Sequence, residues 1–275
     1  MNNLLLIDLN WTYNRFFYVK SQQNPQEPQQ ETNKAMLEFL RYIHATREFN
    51  KVFVIVDGAH PRTKEIYEDY KAGRADKSQV YAGLENFCKL ASKLPDTVVL
   101  QNDQAEADEL IAYICYKHYE HACITIYSGD KDLLQLLVYP NVRISSKYEH
   151  GKFLIPECKE VLGKFSNSTK TKSLKILKHI LPYRVLRGDT SDHIPAPIKR
   201  LKYDKILSFL SVLDTSPLIN EESFTKAVSS IKEFDEIFAQ QLLEAHDDIF
   251  RNYKLMSLLD FEGKEYITES TKRWQ

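Results

Sequence analysis

The chain has 275 residues, a formal net charge of -1 at pH 7, 43% hydrophobic and 27% charged residues; that is room for one large domain or two small ones, in the composition of an ordinary soluble globular protein. No apolar run approaches the roughly 20 residues of a membrane helix, and Leu4 to Ile7 is too short for a signal peptide, so a cytoplasmic protein without a membrane partner is expected. Cys88, Cys115, Cys123 and Cys158 show no Cys-x-x-Cys spacing, which argues for reduced thiols rather than zinc or disulfides.

Leu4 to Ile7 reads as a short strand covered on both faces, with Asp8 and Asn10 at its exit. Trp11 to Lys20 is aromatic with Arg15 and Lys20 interleaved, and Ser21 to Gln30, rich in Gln and Pro, reads as a mobile loop. Helical spacing from Ala35 to Ala45 predicts a crossover helix over 33–49 into the strand Val52 to Val56, which ends in Asp57. Residues 61–77 carry Arg62, Lys64, Lys71, Arg74 and Lys77 among Tyr67 and Tyr70 with few aliphatic anchors, the pattern of an exposed basic and aromatic segment.

A helix over 81–94, a strand from Thr97 to Leu100, a helix opened by Glu106-Ala107-Asp108-Glu109 and a strand from Cys123 to Tyr127 continue the alternation. The implied fold is α/β with a mainly parallel central sheet. Leu133 to Leu137 begins another helix, and Val142 to Ser145 is expected to pair with Lys152 to Ile155 as a hairpin across Glu149-His150-Gly151. Past Pro156 the strand signal largely stops, and helices are predicted over 171–187, 203–212, 234–246 and 249–259, with Pro182 kinking or breaking the first. The expected division is an α/β part, 1–155, and a smaller helical part, 156–275, sharing an interface.

The near-zero net charge hides a basic stretch. Between Lys164 and Lys205, eleven Lys and Arg, among them Lys199, Arg200 and Lys202, face only Asp189, Asp192 and Asp204, enough for a face that holds phosphates.

Acids follow three of the predicted strands, at Asp8, at Asp57 and at Asp130 with Asp132, and Glu106 and Asp108 open the helix beside them. In an open parallel sheet these positions meet at the carboxyl edge, where ligands bind. Taken singly, Asp103 with Glu106 fits a capping box variant and the others fit turns or the helix dipole. As a set they would repel, by roughly 4 kcal/mol for a pair about 4 Å apart at an effective dielectric near 20, unless cations sit among them. Hard oxygen ligands of this kind suit magnesium or manganese, and a pair of such ions can activate water against a phosphodiester. The run Arg187-Gly188-Asp189-Thr190-Ser191-Asp192-His193-Ile194-Pro195 adds two acids three apart, either an Asx turn with helix capping or further ligands.

Ile7-Asp8, Val56-Asp57-Gly58, Tyr70-Lys71-Ala72-Gly73-Arg74, Glu106-Ala107-Asp108-Glu109, Ser128-Gly129-Asp130-Lys131-Asp132, Gly188-Asp189-Thr190-Ser191-Asp192 and the late run Phe250-Arg251-Asn252-Tyr253-Lys254-Leu255 follow one another in order. In this the chain resembles the 5′ nucleases, which include the flap endonucleases, the exonuclease domain of bacterial polymerase I and, most similar, the ribonuclease H branch of T-even phages. The resemblance implies a PIN-like nuclease domain over 1–155 with a basic arch at about 58–83, and a duplex-binding region over 156–275. It implies two magnesium ions, or manganese, held by Asp8, Asp57, Glu106, Asp108, Asp130, Asp132, Asp189 and Asp192. Lys71 and Arg74 would neutralise charge at the scissile phosphate, and Arg15, Arg62, Tyr70, Lys199, Arg200 and Lys202 would contact nucleic acid; Tyr67 and Tyr70 either stack on a base or serve as packing.

The implied activity is 5′-3′ exonuclease or flap endonuclease cleavage of branched or nicked duplex DNA, or of RNA in RNA:DNA hybrids, during primer removal. A single-strand-binding protein or sliding clamp would be its partner, and the host cytoplasm its place if phage-encoded. Many members carry Asp where Glu109 stands, and Pro195 to Leu201 lacks the glycines with which others bind a monovalent cation. Two rival readings are a haloacid-dehalogenase-type phosphatase, which needs a general acid where Asn10 stands, and a non-catalytic nucleic-acid-binding protein of the same fold.

Overall fold

A computed structural model of the chain describes residues 1–59, 62–72, 77–213, 219–262 and 264–274. The chain falls into two units, Met1–Pro61 with Ala75–Pro156 and Phe261–Gln275, and Arg62–Arg74 with Glu157–Asp260. The chain passes from one unit to the other after Pro61, Arg74, Pro156 and Asp260, where a single boundary after residue 155 is expected from the sequence. The C-terminal residues, assigned by sequence to the helical part, belong instead to the first unit, and the basic segment groups with the second.

In the first unit the strands are β1 (Asn2–Asp8), β2 (Lys51–Val56), β3 (Thr97–Asn102), β4 (Ala122–Tyr127), β5 (Val142–Ser145), β6 (Tyr148–Glu149), β7 (Lys152–Phe153) and β8 (Thr271–Arg273). Six form one sheet in the order β5-β4-β1-β2-β3-β8, parallel throughout except for β8 against β3. β1 is buried from Leu4 to Asp8, as its unbroken apolar run demands at the centre of a sheet covered on both faces. On one face Leu5, Ile7, Val52, Val54 and Val99 pack against Met36, Leu40 and Ile43 of the helix Pro28–Thr46 and Phe87, Cys88 and Ala91 of the helix Leu84–Ala91. From β1 the chain steps outward through β2 and β3, then returns to lay β4 on the other side of β1. That reversal opens a crevice at the carboxyl ends of β1 and β4.

Local expectations fail where the signal is weak. The aromatic run and most of the Gln-rich tract are helical, Leu9–Gln23 and Pro28–Thr46, leaving a connection of four residues instead of a mobile loop. Gln is a good helix former, and Pro28 stands at the helix start, where its missing N–H is harmless. The expected helix over 81–94 is two shorter ones, Ser78–Tyr81 and Leu84–Ala91. β5 pairs with β4 rather than with 152–155; the hairpin across Glu149-His150-Gly151 is β6 with β7.

The second unit holds the helices Thr63–Ile66, Cys158–Gly163, Ile180–Arg187, Tyr203–Val212, Glu221–Lys232, Glu236–Glu244 and His246–Met256. Phe209, Phe224 and Phe238 are fully buried in it. Pro182 neither kinks nor breaks a long helix: residues 171–176 are not helical, and the helix begins at Ile180, so Pro182 sits in its first turn, where the N–H is unbonded anyway. Among the described residues no helix is long and apolar enough to cross a membrane.

Candidate active site

The sheet register fixes where its acids stand. Ile7 lies opposite Tyr127, which brings Ser128, just past β4, level with Asp8 at the end of β1. Asp8 caps the helix Leu9–Gln23 through one carboxylate oxygen, which accepts the Trp11 N–H at 3.1 Å, and takes the Ser128 hydroxyl on the other at 2.7 Å. Ser128 Oγ in turn accepts the Asp130 N–H at 3.1 Å, and Asp130 accepts the Asp132 N–H at 2.8 Å. One serine thus ties the acid of β1 to the acid turn after β4. Gly129 allows it, because a Cβ there would stand 2.5 Å from the Trp11 ring.

Asp57, just past β2, is held through its backbone and its carboxylate alike. Its N–H donates to Asn10 Oδ1 at 3.0 Å, its carbonyl accepts from Gln101 Nε2 at 3.0 Å, and its carboxylate accepts the Ala107 N–H at 2.8 Å. That last bond docks Asp57 on the start of the helix Ala107–His118. Gly58 packs so closely behind that a Cβ would lie 2.2 Å from the Asn102 carbonyl oxygen.

The same helix corrects the expected cap. Its capping box joins Glu106 to Glu109, each side chain taking the other's N–H, whereas Asp103 pairs with Lys272 at 2.7 Å. Glu109 is buried and also accepts the Tyr266 hydroxyl at 2.8 Å and faces Lys264 Nζ at 3.3 Å. Asp108 accepts the Glu109 N–H at 2.7 Å.

Burial first, then the Asp57 charge and, less, that of Asp130 push the Asp8 carboxyl up to about 7, against the pull of the Ser128 and Trp11 hydrogen bonds. Two carboxyls from the ends of β2 and β4 therefore act on that of Asp8 at the end of β1. Among the described residues no three acids, histidines or cysteines stand close enough to grip one ion between them. The chemistry of the set still fits a hard divalent cation: its donors are carboxylate oxygens, and the repulsion of Asp8 by Asp57 and Asp130 is a cost such an ion removes.

In the second unit, the turn after the helix Ile180–Arg187 is closed by paired backbone bonds between Asp189 and Ile194, both 2.8 Å. Gly188 there has φ of +66°, a conformation glycine adopts freely. Asp189 pairs with Arg184 at 2.7 Å and accepts the Ser191 N–H at 2.8 Å. Burial alone would raise its carboxyl, but the Ser191 hydroxyl, the Arg184 guanidinium and two backbone N–H groups hold it below the usual range. Asp192 is buried; its carbonyl accepts the Lys71 N–H at 2.9 Å, and the Tyr70 hydroxyl reaches its carboxylate at 3.5 Å.

Tyr70 is therefore a packing residue, 4% exposed, and not an aromatic open to a base. Lys71 has φ of +56° and lays its ammonium 4.8 Å from the Tyr70 ring centroid. Arg74 lies outside the described residues, as do His60, Pro61 and 73–76 of the expected arch. Arg15 is exposed, donates to the Ser146 carbonyl and stacks over Trp11, while Arg62 pairs with Glu65 at 3.5 Å. Lys199, Arg200 and Lys202 lie on the turn before the helix Tyr203–Val212, all three exposed, with Arg200 at φ of +57° doing without a glycine.

Sequence reasoning misses the residues that hold these groups. Asn10, Ser128, Gln101 and Asn102 position the acids of the first unit. In the second, fully buried Asn252 donates to the Val185 and Pro195 carbonyls at 3.2 and 2.8 Å and pins the acid turn to its helix. Ser128, Asn102 and Asn252 are buried and Asn10 and Gln101 half-buried; their signal is the partner each one meets in the fold, which a sequence does not display.

The family model described as the 5′-3′ exonuclease N-terminal resolvase-like domain matches residues 3–165. That is more than half of the chain, which belongs to the 5′-3′ exonuclease family. It is 28% identical over 222 residues to the 5′-3′ exonuclease of Aquifex aeolicus, a match spanning 78% of this chain and 72% of that protein. It is 26% identical over 195 residues to flap endonuclease Xni of Colwellia psychrerythraea, spanning 70% and 60%. Against the thermostable DNA polymerase I of Thermus filiformis it is 30% identical over 146 residues, 52% of this chain and 16% of the polymerase.

Two solved structures share the fold. A bacteriophage T5 flap endonuclease structure with metal ions gives a TM-score of 0.67 at 17% identity, covering 98% of this chain and 96% of that one. The same phage protein in a pseudo-enzyme-product complex with DNA and metal ions gives 0.65 at 16% identity, with the same coverage.

Proposed function

We propose that the chain is a magnesium-dependent nuclease that hydrolyses phosphodiester bonds near a 5′ end, in flapped, branched or nicked duplex DNA and in the RNA of RNA:DNA hybrids, and that it removes primers during DNA replication. The observation that carries the reading is the gathering of Asp57 and Asp130 around the buried Asp8 at the switch point of the sheet, in a member of the 5′-3′ exonuclease family. Asp8, Asp57, Glu106, Asp108, Asp130 and Asp132 are the proposed ligands. Asp189 and Asp192 join them on sequence order alone.

Two magnesium ions, or manganese, would lower the pKa of a bound water and stabilise the leaving oxygen. The chain's own groups would hold and balance the phosphate. Lys71 and Arg74 neutralise charge that develops on its oxygens, and Arg15, Arg62, Lys199, Arg200 and Lys202 bind backbone phosphates, which positions the duplex without reading sequence. In the reaction the water oxygen bonds to phosphorus, the bond from phosphorus to the 3′ oxygen breaks, that oxygen takes a proton, and a 5′ phosphate remains. A single-strand-binding protein or sliding clamp is the partner this role calls for. The phosphatase alternative loses ground at Asn10, whose side-chain oxygen is engaged by the Asp57 N–H.

The test incubates the full chain with a 5′-flapped duplex and with a matched hybrid whose 5′ strand is RNA, in magnesium and in chelator, mapping product lengths and ends. Short 5′-phosphorylated products in magnesium only, lost in Asp130→Asn, are the expected result. Binding without cleavage would leave a non-catalytic module, and cleavage that survives chelation would remove the metal from the mechanism.

A further inference from the structure

We propose that Glu109 is a positioning residue and not a metal ligand, and that the C-terminal segment 264–274 works through it to hold the metal-binding edge in shape. The proposal rests on the reading of Glu106 and Asp57 as ligands. Glu109 is 6% exposed, and both its oxygens are engaged inside the first unit: one accepts the Glu106 N–H at 3.2 Å, the other accepts the Tyr266 hydroxyl at 2.8 Å and faces Lys264 Nζ at 3.3 Å. Turning to a metal would break its bonds to a buried hydroxyl and to an ammonium that is itself largely covered.

The segment grips the far side of the same turn as well. Asn102, at the end of β3 and 1% exposed, donates to the Tyr266 carbonyl at 2.8 Å and to the Ile267 carbonyl and Thr271 Oγ1 at 3.1 Å each, while its own oxygen accepts the Gln104 N–H at 2.9 Å. β8 pairs in register with β3, Asn102 opposite Thr271, and Lys272 binds Asp103. Residues 103–106 therefore run between two anchors, Asn102 and Glu109, both held by the C-terminal segment. Two proposed ligands depend on that turn. Glu106 ends it, and Asp57 is docked on it through the Ala107 N–H and through the bond from the Gly58 N–H to the Ala105 carbonyl at 2.9 Å. A segment far along the chain, outside the stretch that defines the family, thus completes the geometry of the acid edge.

The experiment measures Mn2+ binding to the free full-length protein by electron paramagnetic resonance, beside DNA affinity in chelator and the magnesium concentration at half-maximal cleavage. Tyr266→Phe removes one hydroxyl at constant shape and is expected to weaken Mn2+ binding and raise the magnesium requirement about three- to tenfold, the worth of one buried hydrogen bond, with DNA affinity in chelator unchanged. Glu109→Gln keeps an acceptor for Glu106 and should lose no more than that, and the double variant should lose no more than the worse single one. Mn2+ binding unchanged in Tyr266→Phe, with only a lower melting temperature, would overturn the proposal, as would a hundredfold loss confined to Glu109→Gln, the mark of a direct ligand. Wild-type protein that binds no Mn2+ would overturn the metal reading itself and this proposal with it.

Discussion

Replacing Asp8 by Asn should stabilise the metal-free protein, and increasingly so as pH rises. A carboxyl whose folded pKa lies above its unfolded value binds more protons folded than unfolded between the two, so its contribution to stability falls through that window and the loss is complete above the folded pKa. For Asp8 the window runs from 3.8 to about 7. At about 1.4 kcal/mol per unit, the full cost of ionising it in place is roughly 4 kcal/mol, of which about 2.5 kcal/mol accrues between pH 5 and pH 8. An asparagine in its place carries no such cost, and a hydrogen bond weakened by the change, worth about 1 kcal/mol, shifts the difference by the same amount at every pH. Both tryptophans, Trp11 and Trp274, lie in the first unit, so urea unfolding followed by their fluorescence in EDTA reports the right part of the chain. The stability of Asp8→Asn minus that of wild type should climb by roughly 2.5 kcal/mol from pH 5 to pH 8 and then level off. A difference that stays flat, or falls, would refute the claim that burial and the neighbouring acids strain Asp8.

Lys71→Ala should lower kcat by about a hundred- to a thousandfold with a small change in KM, as for other groups that balance charge in a transition state; steady-state cleavage of a flapped duplex checks it. Alanine at Lys199, Arg200 and Lys202 together should flatten the dependence of log affinity on log salt, by roughly 0.9 for each phosphate no longer neutralised, read from DNA binding in chelator across a salt series. Gly58→Ala should cost about 2 to 3 kcal/mol or more, because its Cβ would press on the Asn102 and Ala105 carbonyls, measured by urea unfolding. Asn252→Ala should cost about 1 to 3 kcal/mol by leaving the buried Val185 and Pro195 carbonyls without their donor, in the same assay.

The parallel strands are legible in the sequence because each is a short apolar run ended by an acid or a turn, and such a run has few alternatives at the centre of a sheet. The helix Leu9–Gln23 is not, since it buries only Leu9, Thr12 and Tyr13 and spreads its other aromatics around its girth. Nor is β5, whose partner β4 is known only once the sheet is assembled; along the sequence it sits beside a true hairpin, and the nearer strand is the wrong one. Glu221–Lys232 shows the opposite failure: Phe224, Ala227, Val228 and Ile231 stand at helical spacing after an Asn220 cap, a readable pattern absent from the expected helices.

At the candidate site the acids themselves are legible and their division of labour is not. Glu106 could be the end of one capping pair with Asp103 or the start of another with Glu109, both three residues apart, and only the point where the helix begins decides between them. Once the fold is in place, the acids sort by what neutralises them. Asp103, Glu109 and Asp189 each face a lysine or arginine that the fold supplies. Among the described residues no such ion pair reaches Asp8, Asp57 or Asp130; they have backbone N–H groups, one serine and each other. A chain that pairs Asp103 and Glu109 with lysines of its own, and leaves Asp8 buried against the charges of Asp57 and Asp130 at the crevice of the sheet, is carrying a cost that folding alone does not require, which is the physical ground for the metal site proposed above.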